Sequence, residues 1–146
     1  MLYTLDTNIL LYYVRENPTR TFIETTFAPF SNDNEALISV VTVAEIMVLA
    51  SANNWGSRKL ALVQRLIDSL TIIEIKYIDI IDSYIEIEKY NRNIHPTKKR
   101  AGSHVAMGKN DSWIAATAMV TKSTLLTADL DFQHLDNVFI EVANVG

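Results

Sequence analysis

The 146-residue sequence contains no cysteine. That absence excludes disulfides, thiolate metal sites and a cysteine nucleophile, and it favours a reducing compartment. Linkers, internal repeats and low-complexity stretches are also missing. The length suits one domain over residues 1–146, with its own core rather than a stapled mini-protein. Hydrophobic residues make up 49% and charged residues 21%, a balance that excludes a disordered chain. Positive charge is not in excess. At a net charge of −4 the molecule is not a polycation that would bind nucleic acid unaided. The first apolar run is interrupted at Asp6 and has no basic leader, so no signal peptide is expected. Residues 36–57 carry a single charge, Glu45, and have the length of a membrane span. Ser39, Thr42, Ser51, Asn53 and Asn54 make that segment too polar, and it divides naturally into a strand and a helix. A cytoplasmic protein is the expectation.

The sequence is organised around Leu2-Tyr3-Thr4-Leu5-Asp6-Thr7-Asn8-Ile9-Leu10-Leu11. Alternation and β-branching predict a strand up to Leu5, and Ile9, Leu10, Tyr13 and Val14 then recur at helical spacing. Asp6 therefore sits at a strand-to-helix junction, the edge at which open parallel sheets place their ligands. Downstream, helices are predicted over about 7–15 and 19–27, the first stopped by Asn17-Pro18. A buried strand follows over 36–39, and then a helix over about 41–52. Ser57 is a plausible N-cap for the next helix, whose Leu60, Val63, Leu66, Ile67 and Leu70 form one apolar stripe. A strand over 71–75 precedes a helix over 79–91 with Ile80, Tyr84 and Ile87 inward. Residues 93–109 read as an irregular loop, 111–122 as a helix and 124–127 as a strand. A short helical turn over 131–135 and a last strand over 138–142 complete the pattern. Strands alternating with helices predict a parallel sheet covered on both faces, with the loop after each strand at one common edge.

That edge would gather four acids. Asp6 alone reads as a helix cap. Glu45 stands in an otherwise uncharged apolar helix start, where a carboxylate is rarely buried without a partner. Asp111, a plausible cap, opens a helix that carries no other charge until Lys122, and Asp129 follows a strand, where a turn Asp is the simpler reading. Asp131 reads as the cap of the short turn but could share the site. Four converging carboxylates would repel one another and raise their own pKa values. A hard, oxygen-preferring cation relieves that repulsion, which points to Mg2+ or Mn2+. Thr7, Asn8 and Thr127 are candidates to orient those carboxylates by hydrogen bonds, against the simpler reading that Thr7 and Asn8 finish the turn.

Between Lys89 and Asn110 there is no acidic residue, while Lys89, Arg92, Lys98, Lys99, Arg100 and Lys109 are basic. A solvated face explains Lys89 and Arg92. A flexible basic loop leading into Asp111 suits a substrate with a phosphate backbone, which makes Lys98, Lys99, Arg100 and Lys109 the candidate contacts. His95 and His104 match no metal-ligand spacing and read as surface residues; His134 reads as structural.

Taken together, these segments resemble the PIN-domain nucleases, in particular the compact VapC-type toxins of bacterial toxin–antitoxin pairs. The resemblance is carried by Leu5-Asp6-Thr7-Asn8-Ile9-Leu10, Val43-Ala44-Glu45, Asn110-Asp111-Ser112-Trp113-Ile114-Ala115-Ala116 and Leu126-Thr127-Ala128-Asp129-Leu130-Asp131-Phe132. The first and third segments are specific, the second is weak and the last intermediate. The resemblance implies a three-layer α/β/α fold with a mostly parallel sheet and an acidic site binding Mg2+ or Mn2+. It implies Asp6, Glu45 and Asp111 as the core ligands and Asp129 as the more variable fourth. It also implies RNA as substrate, a small antitoxin partner and a homodimer. Trp113 stands where such proteins often have a smaller aliphatic residue.

Two other readings were weighed on the same residues. A phosphotransfer domain or haloacid-dehalogenase-like phosphatase would also use an Asp after the first strand. Residues 1–5 lack the acidic pair of the former, and Asn8 replaces the second Asp of the latter. A non-catalytic RNA-binding or scaffold module of the same fold is the alternative that the four intact acids argue against.

Overall fold

The computed structural model describes residues 1–15, 17–76, 78–100, 102 and 104–146. Along the chain lie β1 (Leu2–Leu5), α1 (Thr7–Val14), α2 (Pro18–Thr26), β2 (Glu35–Ser39), α3 (Val40–Ala52), α4 (Ser57–Asp68) and β3 (Thr71–Ile73). They continue with α5 (Ile78–Asn91), α6 (Lys109–Thr121), β4 (Thr124–Thr127), a 3₁₀ turn (Leu130–Leu135) and β5 (Glu141–Asn144). The five strands form one sheet in the order β3-β2-β1-β4-β5, and every neighbouring pair is parallel. Two apolar cores cover it. Ile9, Leu10 and Tyr13 of α1, Ile23 of α2, Ile46 of α3 and Val63 and Ile67 of α4 pack with Leu5, Ile38 and Leu126. On the other face Ile80 and Ile87 of α5, Ile114 and Ala118 of α6, Phe132 and Leu135 pack with Leu125. Successive residues Leu125 and Leu126 serve opposite cores, the period-two alternation of a strand buried on both sides. The fold is thus the three-layer α/β/α arrangement expected from the sequence.

Helix starts follow local chemistry. The side chains of Asp6, Asn17 and Ser39 accept the backbone N–H groups of Thr7, Thr19 and Val41, satisfying donors that a helix start leaves free. Pro18, expected to stop α1, also occupies the first turn of α2, where its missing N–H costs nothing. Lys122 takes a left-handed conformation (φ 54°) that ends α6.

Several boundaries differ from the sequence reading. Gly56, not Ser57, caps α4, and no side chain bonds that helix end. Leu60 of the expected stripe is 38% exposed, so the buried face narrows to Val63 and Ile67, with Leu70 just beyond the helix. Strand β3 stops at Ile73. The last strand lies three residues later than expected. The N–H groups of Val138, Phe139 and Ile140 all turn back to the carbonyl of Leu135, and Asn137 has φ 60°. Those apolar residues serve the core from a turn, and the ladder with β4 begins only at Glu141.

Phe132 is the largest fully buried side chain among the described residues and fastens the 3₁₀ turn to the α5–α6 core. Phe132→Ala should cost about 3–5 kcal/mol through lost burial and a residual cavity. Urea unfolding followed by circular dichroism measures it, and an unchanged midpoint would contradict this packing.

Candidate metal centre

Because all five strands are parallel, their carboxyl ends share one edge. The strand order reverses direction at β1: the chain moves from β1 out to β2 and β3, then returns to β4 on the other side. The crevice beside β1 is the topological switch point where such sheets bind ligands. Asp6 leaves β1 there, with its N–H bonded to the carbonyl of Leu126 at 3.0 Å.

Asp6 is 4% exposed. Its Oδ1 accepts the Thr7 N–H at 2.7 Å, so it does cap α1. Its Oδ2 accepts from Thr127 Oγ1 at 2.7 Å and from Asn8 Nδ2 at 3.1 Å. Asn8 Oδ1 in turn accepts the Ala128 N–H at 3.2 Å, which straps the start of α1 to the end of β4. Burial pushes the Asp6 carboxyl above its ordinary value, the Thr127 and Thr7 bonds hold it back, and the charges of Glu45 and Asp129 push it up again.

Glu45 is half-buried on α3, and its Oε1 accepts from Thr7 Oγ1 at 2.8 Å; Thr42 Oγ1 lies 3.4 Å from the same hydroxyl. Thr7 therefore links α1 to α3 through the carboxylate. Asp129 is half-buried and caps the 3₁₀ turn, its Oδ1 accepting the Asp131 N–H at 2.9 Å. Its own N–H bonds Thr127 Oγ1 at 3.0 Å, and its carbonyl accepts from Asn144 Nδ2 at 3.2 Å. Asp131, expected as a cap, instead lies in the first turn and is exposed.

Asp111 is the third residue of α6, and Gly108 is the N-cap, so the capping reading of this acid fails. It is half-buried in an open hollow lined by Glu45, Gly108, Lys109 and Asn110. A Cβ at position 108 would sit 3.5 Å from Asp111 Oδ2. Ser112 Oγ donates to Glu88 of α5 at 2.6 Å, anchoring this end of the helix. Trp113 stacks on Tyr84 of α5 at 4.0 Å between centroids.

Carboxylate oxygens of Asp111, Asp129 and Asp131 lie within 4.8 Å of one another. Burial pushes the Asp111 carboxyl up to about 7, aided by the charges of Asp6, Asp129, Glu45 and Asp131. Asp6 and Glu45 stand outside the tight triad but within its electrostatic reach. The sequence reading did not single out Thr42, Asn144 or Gly108. Thr42 stands three residues before Glu45 on one helical face, a spacing that could have revealed it. Asn144 had no local signal, because only the β4–β5 pairing brings it to Asp129.

Of the cationic candidates, Lys109 lines the hollow beside Asp111 and Glu45. Lys98 Nζ lies 5.5 Å from the centroid of the Phe139 ring, and Lys99 Nζ donates to the His95 carbonyl at 3.0 Å. Burial and then the Arg100 charge lower the His134 pKa, while Asp131 raises it, so Arg100 and Asp131 border one histidine. His95 is not a surface residue; it is 5% exposed.

The sequence profile of the PIN domain family matches residues 3–138. No curated protein matches the sequence closely. Among solved structures, a chain of VapBC2 from Rickettsia felis, bound to a DNA fragment from their promoter, is 22% identical with a TM-score of 0.75. The match covers 99% of this chain and 98% of that one. A chain of VapBC-1 from nontypeable Haemophilus influenzae matches at 20% identity and a TM-score of 0.72, over 99% and 98% of the two chains. A chain of a toxin–antitoxin complex from Klebsiella pneumoniae matches at 19% identity and 0.69, over the same shares. At these identities the shared property is the fold.

The sign of the pH dependence follows from the raised carboxyls. Between pH 4 and 7 the folded, metal-free protein holds a proton on Asp111 that the unfolded chain has released. Raising the pH through that window should therefore lower stability, and Asp6 adds in the same direction. Asp111→Asn should flatten the fall and raise Tm at pH 8. Thermal melts in chelator across pH 4–8 test this; a wild-type Tm that climbs towards pH 7, with no gain in the variant, would refute it.

Proposed function

This chain belongs to the PIN domain family, and from that premise we propose that it is a Mg2+- or Mn2+-dependent endoribonuclease hydrolysing RNA phosphodiester bonds. The observation that carries the reading is the meeting of Asp111, Asp129 and Asp131 carboxylate oxygens within 4.8 Å, with Asp6 and Glu45 close enough that their charges add to the rise burial imposes on Asp111. The donor set fits the ion: every candidate ligand atom is a hard carboxylate oxygen, with no nitrogen or sulfur among them.

Asp6, Glu45 and Asp111 would hold the metal, with Asp129 as the fourth acid. What the ion supplies when bound is an acidified water and neutralisation of charge on the scissile phosphate. The chain's own residues prepare the site. Thr127 and Asn8 fix the position of Asp6, Thr127 offsets part of the rise that burial imposes on its carboxyl, and Thr7 aims Glu45. The Asp131 N–H orients Asp129. Lys109 brings a positive charge to the hollow where a phosphate would enter. Loading requires Asp111 to lose its proton, so metal affinity should rise with pH up to about 7.

The biological role we propose is that of the toxin in a type II toxin–antitoxin pair, acting in the cytoplasm as a homodimer neutralised by a small antitoxin. Its fold matches chains from VapBC and other toxin–antitoxin structures along nearly its full length. Phe22, Met47, Val48 and Leu60 leave apolar surface exposed on α2, α3 and α4, which suits association with a partner. Among the described residues no helix is long and apolar enough to cross a membrane.

A Mn2+ titration of metal-stripped protein, repeated with a short RNA, tests the site. Saturable binding should disappear in Asp6→Asn and Asp111→Asn. Outer partners of metal ligands typically cost about 10–100-fold when removed, so Thr127→Val should fall in that range and either acid more than about a hundredfold in RNA cleavage. Equal metal binding by all folded variants would leave a non-catalytic module of the same fold.

A further inference from the structure

The loop over 92–108 joins α5 to α6 and carries most of the basic residues near the acids. It is built around one buried imidazole. His95 Nδ1 accepts the backbone N–H of Thr97 at 3.2 Å and of Lys98 at 2.9 Å. Two donors on Nδ1 require its lone pair, so the ring proton resides on Nε2, which donates to Glu86 of α5. The ring packs edge-on against Phe139, with centroids 5.8 Å apart. The cations are tied to the same anchor: Lys99 Nζ bonds the His95 carbonyl, and Lys98 Nζ stands over the Phe139 ring. A second brace, Asn93, donates to the Gly102 carbonyl at 3.0 Å and accepts the Arg100 N–H at 3.4 Å. The Arg100 charge also acts on His134, whose neighbour Asp131 belongs to the acid cluster.

Here one nitrogen shapes the turn that bears Lys98 and Lys99, while the other fixes that turn to α5. We infer that His95 is a positioning residue for substrate: its imidazole holds the turn that bears Lys98 and Lys99 as a fixed cationic edge, on the loop that leads to Asp111, that receives the phosphates of RNA. This rests on the ribonuclease reading proposed above. A preformed edge avoids ordering two long side chains on binding, so its loss should appear in substrate affinity and leave the chemical step alone.

The test measures RNA cleavage with Mn2+ at several salt concentrations. It uses wild type, His95→Leu, which removes both nitrogens, and His95→Gln, which retains a donor towards Glu86 without the Nδ1 acceptor. His95→Asn is the rescue, since its Oδ1 stands where Nδ1 stands and accepts the same two N–H groups. In His95→Leu and His95→Gln, KM should rise roughly tenfold with kcat within about twofold. The log–log salt slope of kcat/KM should shrink by up to about 1.4, at roughly 0.7 per phosphate contact for two cations. His95→Asn should recover most of both, and Mn2+ affinity should be the same in all four proteins. If His95→Leu fails to fold, the Gln and Asn variants carry the comparison. Wild-type KM and salt slope in a folded His95→Gln would overturn the inference while leaving the ribonuclease reading intact. Absence of RNA cleavage by wild type would overturn that reading and the inference with it.

Discussion

Mutual repulsion among carboxylates gathered at one sheet edge is the constraint on which this structure turns. A parallel sheet brings them there, because every strand delivers its carboxyl end to the same side. The order β3-β2-β1-β4-β5 then sets β1 and β4 side by side, so that Asp6 and Asp129, far apart in the chain, flank one crevice. Holding them together requires donors, and the donors are concentrated in few residues. Thr127 gives its hydroxyl proton to Asp6 and accepts the Asp129 N–H with the same oxygen. Asn8 donates to Asp6 and accepts from Ala128. These bonds lie across the β1–β4 seam, so the hydrogen bonding that positions the acids also closes the upper end of the sheet.

The positive charge is distributed in the opposite manner. The acids sit on strand ends and helix starts whose backbone is fixed by the cores, whereas the cations are displayed on the connection between α5 and α6. In a protein of net charge −4, a basic strip of this kind makes a local field of the other sign and has little effect on overall binding. Placing acids on rigid elements and cations on a loop suits their tasks. A metal site tolerates little positional error, while phosphate attraction is long-ranged and forgiving. The loop nonetheless has an internal frame in His95, Asn93 and Phe139, which keeps its charges from dispersing into solvent.

Much of this arrangement was legible in the sequence, for a physical reason. Short apolar runs ending in Asp6 and Thr127 read as buried strands with polar ends, and their alternation with amphipathic helices points to a covered parallel sheet. The capping reading of Asp6 was also right as far as it went: Oδ1 caps α1 while Oδ2 turns to Thr127 and Asn8, whereas the short turn is capped by Asp129 and not by Asp131. What local pattern hides is any apolar run that serves a core without forming a ladder. Val138, Phe139 and Ile140 look like a strand and instead turn back on Leu135. His95 was equally hidden, since a histidine among lysines and a proline looks solvated. Its burial depends on Glu86 and Phe139, which approach only in three dimensions.

The two most perturbed acids show how the fold divides the electrostatic work. Asp6 and Asp111 are both pushed upwards, first by burial. For Asp6 the protein supplies relief from within, through the Thr127 hydroxyl and the Thr7 amide. For Asp111 every contribution acts in the same upward sense: burial, then Asp6, Asp129, Glu45 and Asp131 in turn. The fold thus satisfies one carboxylate with its own donors and leaves the other at the mouth of an open hollow, facing four like charges. Raised to about 7, that carboxyl is divided near neutrality between its protonated and charged forms, and a cation from solution would hold it charged. That asymmetry is what makes the edge read as a binding site for an ion, and not merely as a set of helix caps that happen to be near one another.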